Sequence, residues 1–560
     1  MKRRNLLYNL AALSLTMPHA HRLLVSSVLS DRKSGKSGGG SALALPSPKQ
    51  QAWQDLELGM FVHFAPNTWQ DAESDNLSTP LSQINPARLD TDQWAATAIS
   101  LGARYIVFVA KHQGGFCMWQ TQTTSYGIRD TPWRGGKGDV LADIAASCKK
   151  YGLKLGVYVC PRDDHFGATT GGVCKTAELQ AKYNAMYREQ LTEVLSRYGK
   201  LVEIWFDGSS VTPVGDLLKR YQPDAMIFQG PQATIRWVGN EDGFAPYPCW
   251  NGVDAKDAHE GTSTSLDGDP DGSIWLPNEV DVSIRRPNWF WSTTNQKRVL
   301  SVDQLLSIYY RSIGRGAQFL LNIPVNREGL LSQPDCRSAT AFGQEINRRF
   351  AEPIAATQGK GSSFVLTFDR PTRIDTVILQ EQTSLGERVR KYRLEAYVEG
   401  SWKPQAEGSA IGHKRIQPVE PQTVSAIRLV MPQAAAEPAI RLFAVFDTQV
   451  APPSDWNAVS EIWSSNLVGK WSDGSFSLDL TKEIPVAAQY ALRFQPQQGS
   501  VTGFRDLVLE LGGISNPALI KLSRIKRNEL ILDITGLEKT IRVHGHVDGA
   551  EAGSVLLERR

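Results

Sequence analysis

The chain has 560 residues, which is more than one domain of ordinary size needs, so we expect several domains. Its 61 Lys and Arg against 58 Asp and Glu leave a net charge of +3, which argues against a nucleic-acid partner. Hydrophobic residues make up 41%, and after residue 50 no apolar run reaches the roughly 20 residues that a membrane span needs. Composition therefore predicts packed domains with no nucleic-acid partner and no membrane span.

The first 50 residues read as a signal peptide followed by a linker. Met1, three basic residues and Asn5 precede the apolar run LLYNLAALSLTMPHA, which ends on the small residue Ala20. Residues 31–50 are rich in Gly, Ser, Lys and Pro, a composition that buries too little apolar surface to fold. We expect an exported protein, periplasmic or secreted; the alternative is a disordered leader that only resembles a signal.

The cysteines give no sign of a metal site or of a disulfide framework. Six are spread over the first 340 or so residues without a CxxC pair or a zinc-ligand spacing: Cys117, Cys148, Cys160, Cys174, Cys249 and Cys336. They are too few to cross-link a chain of this size. We therefore expect no metal, and one or two incidental disulfides remain open.

Between residues 51 and 350, apolar strand-like runs alternate with amphipathic helical stretches, the pattern of a parallel sheet covered by helices. The eight candidate strands are residues 59–64, 105–110, 153–159, 201–207, 224–229, 236–241, 280–284 and 319–324. Eight such units predict a (β/α)₈ barrel, whose catalytic groups belong at the C-terminal ends of the strands. The irregular stretch 230–290 is expected to form long loops over that face.

After residue 350, helical periodicity gives way to short β-branched runs separated by turn residues. This pattern of short strands predicts a β-sandwich at residues 351–449 and a second sandwich-like module at residues 455–560. The Pro-rich segment VAPPSD is expected to join them. The predicted fold class is thus α/β: a (β/α)₈ barrel at residues 51–350 followed by two C-terminal β-sandwich modules.

The run LVEIWFDG offers the first candidate catalytic group. Period-2 alternation places Glu203, Trp205 and Asp207 on one face of the strand, opposite an apolar face suited to the helix layer. Asp207 then points into the barrel at the C-terminal strand end, where a nucleophile would lie. The alternative is a buried Asp that caps the loop after it.

Two histidines end the first two predicted strands. In GMFVHF, alternation puts Phe61 and His63 on one face, and His112 in VFVAKHQGGF lies at the equivalent end of the second strand. Two imidazoles at one rim favour contacts with substrate hydroxyls over zinc, because no third ligand stands at a suitable spacing. A lone histidine would more often be a satisfied core residue.

A second carboxylate is needed for glycoside hydrolysis, in which one carboxyl attacks the anomeric carbon and the other protonates the leaving oxygen. Glu241 in RWVGNEDG lies on a Gly-flanked loop 34 residues after Asp207, and it would otherwise be an ordinary solvated residue. Four other carboxylates fall on loops predicted for the same face and compete with it: Glu73, Asp163, Glu260 and Glu279. Glu279 would start a strand, which is the wrong end of the barrel, and Glu260 lacks an apolar anchor.

The chain resembles the α-L-fucosidases of glycoside hydrolase family 29, in particular the branch acting on α-1,3/1,4-linked fucose. The similar motifs are GMFVHFAPNTW, AKHQGGFCMW, GDVLADIAASCKKYGLKLGVYV, EIWFDG, RWVGNEDG, EVDVSIRRPNWFW and SIGRGAQFLLNIP, in the expected order. The resemblance covers residues 50–330, and the first sandwich matches the family's galactose-binding-like β-domain. It leaves the last 105 residues without a clear counterpart.

By resemblance, Asp207 would be the nucleophile and Glu241 the acid/base, while His63, His112, Trp205 and Glu73 would contact fucose. The resemblance implies a retaining exo-α-L-fucosidase that acts on a fucosylated oligosaccharide or glycoconjugate and needs no cofactor.

The motifs also depart from the family pattern. In His-His-Asp-Gly-Phe the second His and the Asp are replaced by Gln113 and Gly114, and the Gln113 amide can still bind a substrate hydroxyl. Ser74 and Arg162 each stand where the family has a Trp. The alternatives are a glycosidase of the same fold for another α-linked sugar, and a glycan-binding protein without hydrolytic activity.

Overall fold

The computed structural model describes residues 43–255, 267–458, 466–484, 488–515, 519–522, 528–534 and 540–559. The predicted signal peptide and Glu260 lie outside these residues. Among the described residues, no helix combines the length and the apolar character that crossing a bilayer requires.

Helix α1 (Pro48–Gln54) begins inside the stretch predicted to be a linker. The Ser47 side chain caps the helix in a capping box with Gln50, whose amide also donates to the carbonyls of Thr234 and Trp275 at 2.8 and 2.9 Å. Trp53 is buried and donates to Glu203 inside the barrel at 2.8 Å. The linker prediction is therefore wrong for residues 43–50, because contacts with distant segments hold them against the barrel.

Eight parallel strands form the barrel, and they confirm all eight predicted strands. They are β1 (Leu58–Val62), β2 (Tyr105–Lys111), β3 (Lys154–Val159), β4 (Leu201–Trp205), β5 (Met226–Phe228), β6 (Arg236–Trp237), β9 (Asn278–Ser283) and β10 (Gln318–Asn322). Hydrogen bonds join them in the order β5-β4-β3-β2-β1-β10-β9-β6. A parallel bridge between Phe228 and Ile235 joins β5 to the start of β6 and closes the ring.

Helices surround the barrel, with short 3₁₀ turns in the loops. The helices are α2 (Asn67–Gln70), α3 (Thr91–Leu101), α4 (Val140–Tyr151), α5 (Ala177–Arg197), α6 (Gly215–Tyr221), α7 (Val302–Arg311) and α8 (Gln333–Phe350). The 3₁₀ turns are Leu81–Gln83, Ile128–Asp130, Trp133–Gly136, Thr170–Gly172 and Thr383–Leu385.

The connection from β6 to β9 corrects the expectation of long loops over the catalytic face. Its described residues form a hairpin of β7 (Gly252–Val253) and β8 (Ile274–Trp275). The Trp275 indole donates to Gln54 of α1 at 3.0 Å, so the hairpin packs at the N-terminal end of the barrel. Of the described residues in this connection, those that directly follow β6 lie at the catalytic rim, because the chain must return to the opposite end to begin β9.

A β-bulge in β2 decides which side chains face the catalytic pocket. Tyr105 points into the barrel, so strict alternation would point Lys111 inward as well. The register with β3 shifts between Val109 and Lys111, as in a bulge. Lys111 consequently enters the helix layer, where it binds Asp163 at 3.0 Å, and His112 takes the inward position.

Among the described residues of the C-terminal part, all paired strands are antiparallel, and they enclose two apolar cores. The first sheet has the order β11-β16-β12-β15-β13-β14 and comprises β11 (Ala355–Lys360), β12 (Ser363–Glu381), β13 (Val389–Val398), β14 (Ser401–Gly408), β15 (Arg415–Ala434) and β16 (Ala439–Phe446). Its long strands β12 and β15 shift register together midway, so the sheet folds around its own core.

The last residues form two further sheets around a separate core. The five-stranded sheet has the order β17-β25-β19-β23-β22, and the four-stranded sheet the order β18-β24-β20-β21. Their strands are β17 (Asn466–Trp471), β18 (Ser475–Asp479), β19 (Ala488–Pro496), β20 (Gly503–Leu511), β21 (Ile514–Ser515), β22 (Ile520–Leu522), β23 (Glu529–Ile534), β24 (Ile541–Asp548) and β25 (Gly553–Arg559). The barrel and the β-rich C-terminal part confirm the predicted fold class.

Candidate active site

Asp207 lies two residues beyond β4, at the C-terminal end of the barrel. Its Oδ2 accepts hydrogen bonds from the Tyr158 hydroxyl at 2.7 Å and from the Gln113 side-chain amide at 3.1 Å. Glu203 and Trp205 lie on the same inward face, since the Trp205 indole donates to Glu203 at 2.6 Å. The predicted inward face of β4 is therefore the one observed.

His63 and His112 meet at the same rim, as their strand positions predicted. Their ring centroids are 5.7 Å apart, and His112 stacks on Tyr158 with centroids 5.6 Å apart and planes 13° apart. Phe61 lies below His63 at 4.6 Å, on the same inward face of β1. The hydroxyl that binds Asp207 thus belongs to the ring on which His112 stacks.

His63 is a neutral imidazole of defined tautomer. Burial lowers its pKa to about 3. Its Nδ1 lies 2.9 Å from Oδ1 of Asn322, while the Asn322 amide nitrogen donates to the carbonyl of Trp289 and to Oγ of Ser283, both at 2.9 Å. Because the amide nitrogen must face a carbonyl, Oδ1 faces the imidazole and Nδ1 carries the hydrogen. Nε2 of His63 is left as an acceptor.

His112 has a buried nitrogen without a partner among the described residues. Its Nδ1 is shielded from solvent and makes no hydrogen bond to the described part of the chain. Burial, followed by the nearby His63 and Arg162, lowers the pKa of His112 well below its usual range, so the ring is neutral. A buried polar atom of this kind is costly unless something binds it, which points to a ligand.

Glu241 lies four residues past the short strand β6, on the rim of the barrel. Its Oε2 accepts a hydrogen bond of 3.1 Å from the indole of Trp289. Trp289 in turn contacts His63, with ring centroids 5.1 Å apart. One indole therefore joins the loop carboxylate to the histidine pocket.

Two aromatic residues of the β9 loop line the pocket, and the sequence analysis did not select them. Trp289 contacts His63, and Phe290 contacts His63 and His112 at 5.3 and 4.9 Å. Trp205 lies deeper, stacked on Phe228 at a centroid distance of 3.5 Å, and forms the floor. The motif EVDVSIRRPNWFW could have predicted these two pocket residues, since both aromatic residues follow the C-terminal end of a barrel strand.

Glu73 supports this aromatic loop. Its carboxylate accepts from the backbone of Trp289 at 2.7 Å and of Phe290 at 3.4 Å, and from the Asn288 side chain at 3.0 Å. Burial outweighs these hydrogen bonds and raises the pKa of Glu73. The structure thus gives Glu73 a positioning task at the pocket wall.

Three residues that depart from the family pattern, Gly114, Arg162 and Gln113, make specific contacts in or beside the site. A Cβ at Gly114 would come within 2.2 Å of Oδ2 of Asp75, so the Asp75 carboxylate occupies the space that a side chain there would need. Arg162 forms a two-point ion pair with Asp164, at 2.8 and 3.2 Å. Gln113, in turn, binds Asp207 directly.

Two carboxylates that compete with Glu241 for the role of acid/base, Asp163 and Glu279, bind other groups of the protein. Asp163 binds buried Lys111 at 3.0 Å in the helix layer. Glu279 is fully buried at the N-terminal end of the barrel, where the Tyr105 hydroxyl donates to it at 3.3 Å. Burial and the neighbouring Glu203 raise the pKa of Glu279 well above its usual range. Neither carboxyl faces the catalytic rim.

A further buried acid, Asp281, was missed by the sequence analysis. It lies on β9 and accepts a hydrogen bond of 2.7 Å from the indole of Trp237 at the end of β6. Burial raises its pKa to about 8, and the charge of Asp207 contributes. Asp281 therefore stays protonated at neutral pH and does not add a negative charge beneath Asp207.

All six cysteines lie among the described residues, and each is a free thiol. Within the same residues, no three His, Cys, Asp or Glu side chains gather in a way that could hold a metal ion.

The barrel, the carboxylate at the end of β4 and the neutral imidazoles beside it are consistent with a glycoside hydrolase. The family model for α-L-fucosidases matches residues 68–348. The chain is 32% identical over 460 residues to α-L-fucosidase 1 of Arabidopsis thaliana, a match that covers 72% of this chain and 88% of that protein. The chain belongs to the α-L-fucosidase family.

Solved structures agree with this assignment. A glycoside hydrolase family 29 member from an unknown rumen bacterium is 26% identical, with a TM-score of 0.66, and the match covers 91% of this chain and 97% of that one. The family 29 fucosidase of Ruminococcus gnavus, solved in complex with fucose, is 25% identical with a TM-score of 0.64, covering 73% of this chain and 97% of that chain.

Proposed function

We propose that the protein is a retaining exo-α-L-fucosidase that removes terminal α-linked L-fucose from glycans by double displacement. The observation that carries this proposal is the Asp207 carboxylate, held by Tyr158 and Gln113 beside two neutral histidines. Buried His63, His112, Trp205 and Phe290 line the pocket at the C-terminal end of the barrel. An enclosed lining of this kind suits one terminal sugar residue.

In the first step, Asp207 attacks the anomeric carbon and forms a glycosyl-enzyme while Glu241 protonates the leaving oxygen. The two donors on Oδ2 orient the carboxylate and favour its ionised form. In the second step, Glu241 takes a proton from water, and the water displaces Asp207. Two inversions at the same carbon restore the original configuration.

The neutral histidines suit a sugar whose hydroxyl groups both donate and accept. Nε2 of His63 accepts a hydrogen bond, and the unpartnered Nδ1 of His112 supplies a second polar atom. Phe290 and Trp289 add apolar surface for the faces of the sugar that carry C–H groups. This mixture supports a deoxysugar, which has both hydroxyl and methyl surfaces.

The stereochemical course tests the mechanism. Hydrolysis of an aryl α-L-fucoside, followed by NMR from the first turnovers, should release α-L-fucose before mutarotation. Release of β-L-fucose would contradict double displacement. Turnover of a different aryl α-glycoside in place of the fucoside would contradict the substrate, and binding of fucosylated oligosaccharides without turnover would identify a glycan-binding protein.

Paired variants test the acid/base. Glu241→Gln should lose roughly 10²-fold or more on an oligosaccharide, whose leaving group needs protonation, and much less on an activated aryl fucoside. Glu279→Gln is the matched control, because this carboxyl is buried at the other end of the barrel. The same leaving-group signature at Glu279 would overturn the assignment.

A further inference from the structure

The Pro-rich joint after the first β-domain is fixed to the barrel. We name residues 451–458 the strap. Asp455 of the strap accepts a hydrogen bond of 2.8 Å from Arg311 at the end of α7. The carbonyl oxygens of Trp456 and Ala458 accept from Arg315 at 3.1 and 2.8 Å. A charged pair and two carbonyl contacts therefore hold the strap against the barrel.

The loop that carries Glu241 packs on the same helix. We name residues 239–247 the acid loop. The backbone nitrogen of Ala245 donates to the carbonyl of Arg311 at 2.8 Å. Gly243 has φ +87°, and a Cβ there would come within 3.0 Å of Ile308 on α7. The loop thus lies so close to α7 that a glycine is needed at the contact.

Three arginines lie between the strap and the acid loop, and each contacts both. Arg311 packs over the Phe244 ring at 4.4 Å and binds Asp455. Arg315 donates to the carbonyl of Ala245 at 2.6 Å and to the strap carbonyls. Arg415, from the first β-domain, packs over Tyr247 at 4.0 Å and over Trp456 at 5.6 Å.

The strap supplies a negative charge that partly balances the positive charges of the three arginines. Burial, followed by Arg415 and Arg311, lowers the pKa of Arg315 to about 10, a sign that the three cations repel one another. Asp455 places a carboxylate against Arg311, and its pKa is lowered despite partial burial, with Ser307 and Arg311 as the causes. Removing that charge leaves the cations beside the acid loop less compensated.

We infer that the strap positions Glu241 for acid catalysis, with Asp455 and Trp456 acting through Arg311, Arg315 and Arg415. This inference rests on the proposed role of Glu241. Asp455 and Trp456 are positioning residues, because the contacts through which they act are with the arginines. A displacement of about 1 Å in a catalytic group can cost up to roughly 10²-fold in rate.

The test compares leaving groups in the full-length protein. Asp455→Asn and Trp456→Leu should each lower kcat/KM for a fucosylated oligosaccharide about tenfold, while an activated aryl fucoside changes less than about twofold. Asp455→Glu should restore most of the loss because it returns the charge. Asp303→Asn is the matched control, since Asp303 is an exposed carboxyl of α7 that lines one cavity together with Arg311 and Asp455.

The outcomes separate this inference from the proposed function. If Glu241→Gln shows the leaving-group signature and the strap variants do not, the strap inference is overturned alone. If Glu241→Gln lacks the signature, the proposed acid/base is overturned, and the strap inference with it. Equal losses of kcat/KM on both substrates in Asp455→Asn would show that the strap only stabilises the fold, and would overturn its positioning role. The same selective loss in Asp303→Asn would overturn it as well.

Discussion

The hydroxyl of Tyr158 on β3 donates a hydrogen bond of 2.7 Å to Oδ2 of Asp207, just beyond the neighbouring strand β4. Burial, followed by the charge of Asp207, raises the pKa of Tyr158 well above its usual range, so the phenol keeps its proton. A permanent donor beside the carboxylate favours the ionised form that can attack an anomeric carbon.

We expect Tyr158→Phe to lower kcat about 10- to 100-fold and to move the acidic limb of the pH–rate profile to higher pH. The lost hydrogen bond no longer stabilises the charge, so Asp207 protonates at a higher pH. Tyr187→Phe is the control, because its hydroxyl donates at 2.7 Å to the carbonyl of Val159 on the helix side of the same strand. An acidic limb that stays in place in Tyr158→Phe would contradict this role.

Asp207→Ala should lower the turnover of an aryl α-L-fucoside by roughly 10³-fold or more, which is about 4 kcal/mol of transition-state stabilisation. Folding should change little, because the carboxyl is half-buried at the rim. Added azide should restore part of the rate and yield the β-fucosyl azide, which NMR can detect. A fully active Asp207→Ala protein would remove the nucleophile from the mechanism.

Stability should fall as pH rises from about 5 to 8, because two buried acids with raised pKa values outweigh one buried histidine with a lowered pKa. Burial raises the pKa of Glu203 from 4.5 to about 7 and that of Asp281 from 3.8 to about 8, so the stability that each adds is complete below the ordinary pKa and is lost as pH rises to the raised value. His63 has its pKa lowered to about 3, so its contribution is complete above pH 6.5 and is lost as pH falls. Each group changes stability by at most about 1.4 kcal/mol per pH unit.

Asp281→Asn isolates one of these groups. Its amide oxygen can still accept from Trp237, and it carries no charge to bury, so thermal unfolding should depend less on pH between about 4 and 8. The exposed variant Asp303→Asn should leave the profile of the parent unchanged. An unchanged pH dependence over that range in Asp281→Asn would show that the pKa of Asp281 is not raised in the folded protein.

Removal of the last module after residue 458 should leave aryl-fucoside turnover within about twofold of the full chain. The described residues beyond 466 pack around a core of their own, and the strap stays in place in this variant. Removal after residue 450 also takes away the strap, and it should weaken oligosaccharide hydrolysis selectively. If the longer form is folded and inactive, the last module contributes to catalysis.

Much of the barrel could be predicted because its signals are local. All eight strands, the inward face of Asp207 and the placement of His63 and His112 at one rim followed from strand period and strand ends. The helix α1, the hairpin β7–β8 and the pocket walls Trp289 and Phe290 could not be located in this way. Each depends on contacts between segments that are far apart in the sequence.

The sequence by itself determined the barrel and the carboxylate at the end of β4, because alternation and strand order are properties of neighbouring residues. Only the tertiary structure decided that Lys111 turns outward and His112 inward, since the bulge is defined by the register of β2 against β3. It also decided that Glu279 is buried away from the rim, and that three arginines join the strap to the acid loop. Burial and pairing of charges depend on the whole packed molecule, so no local pattern records them.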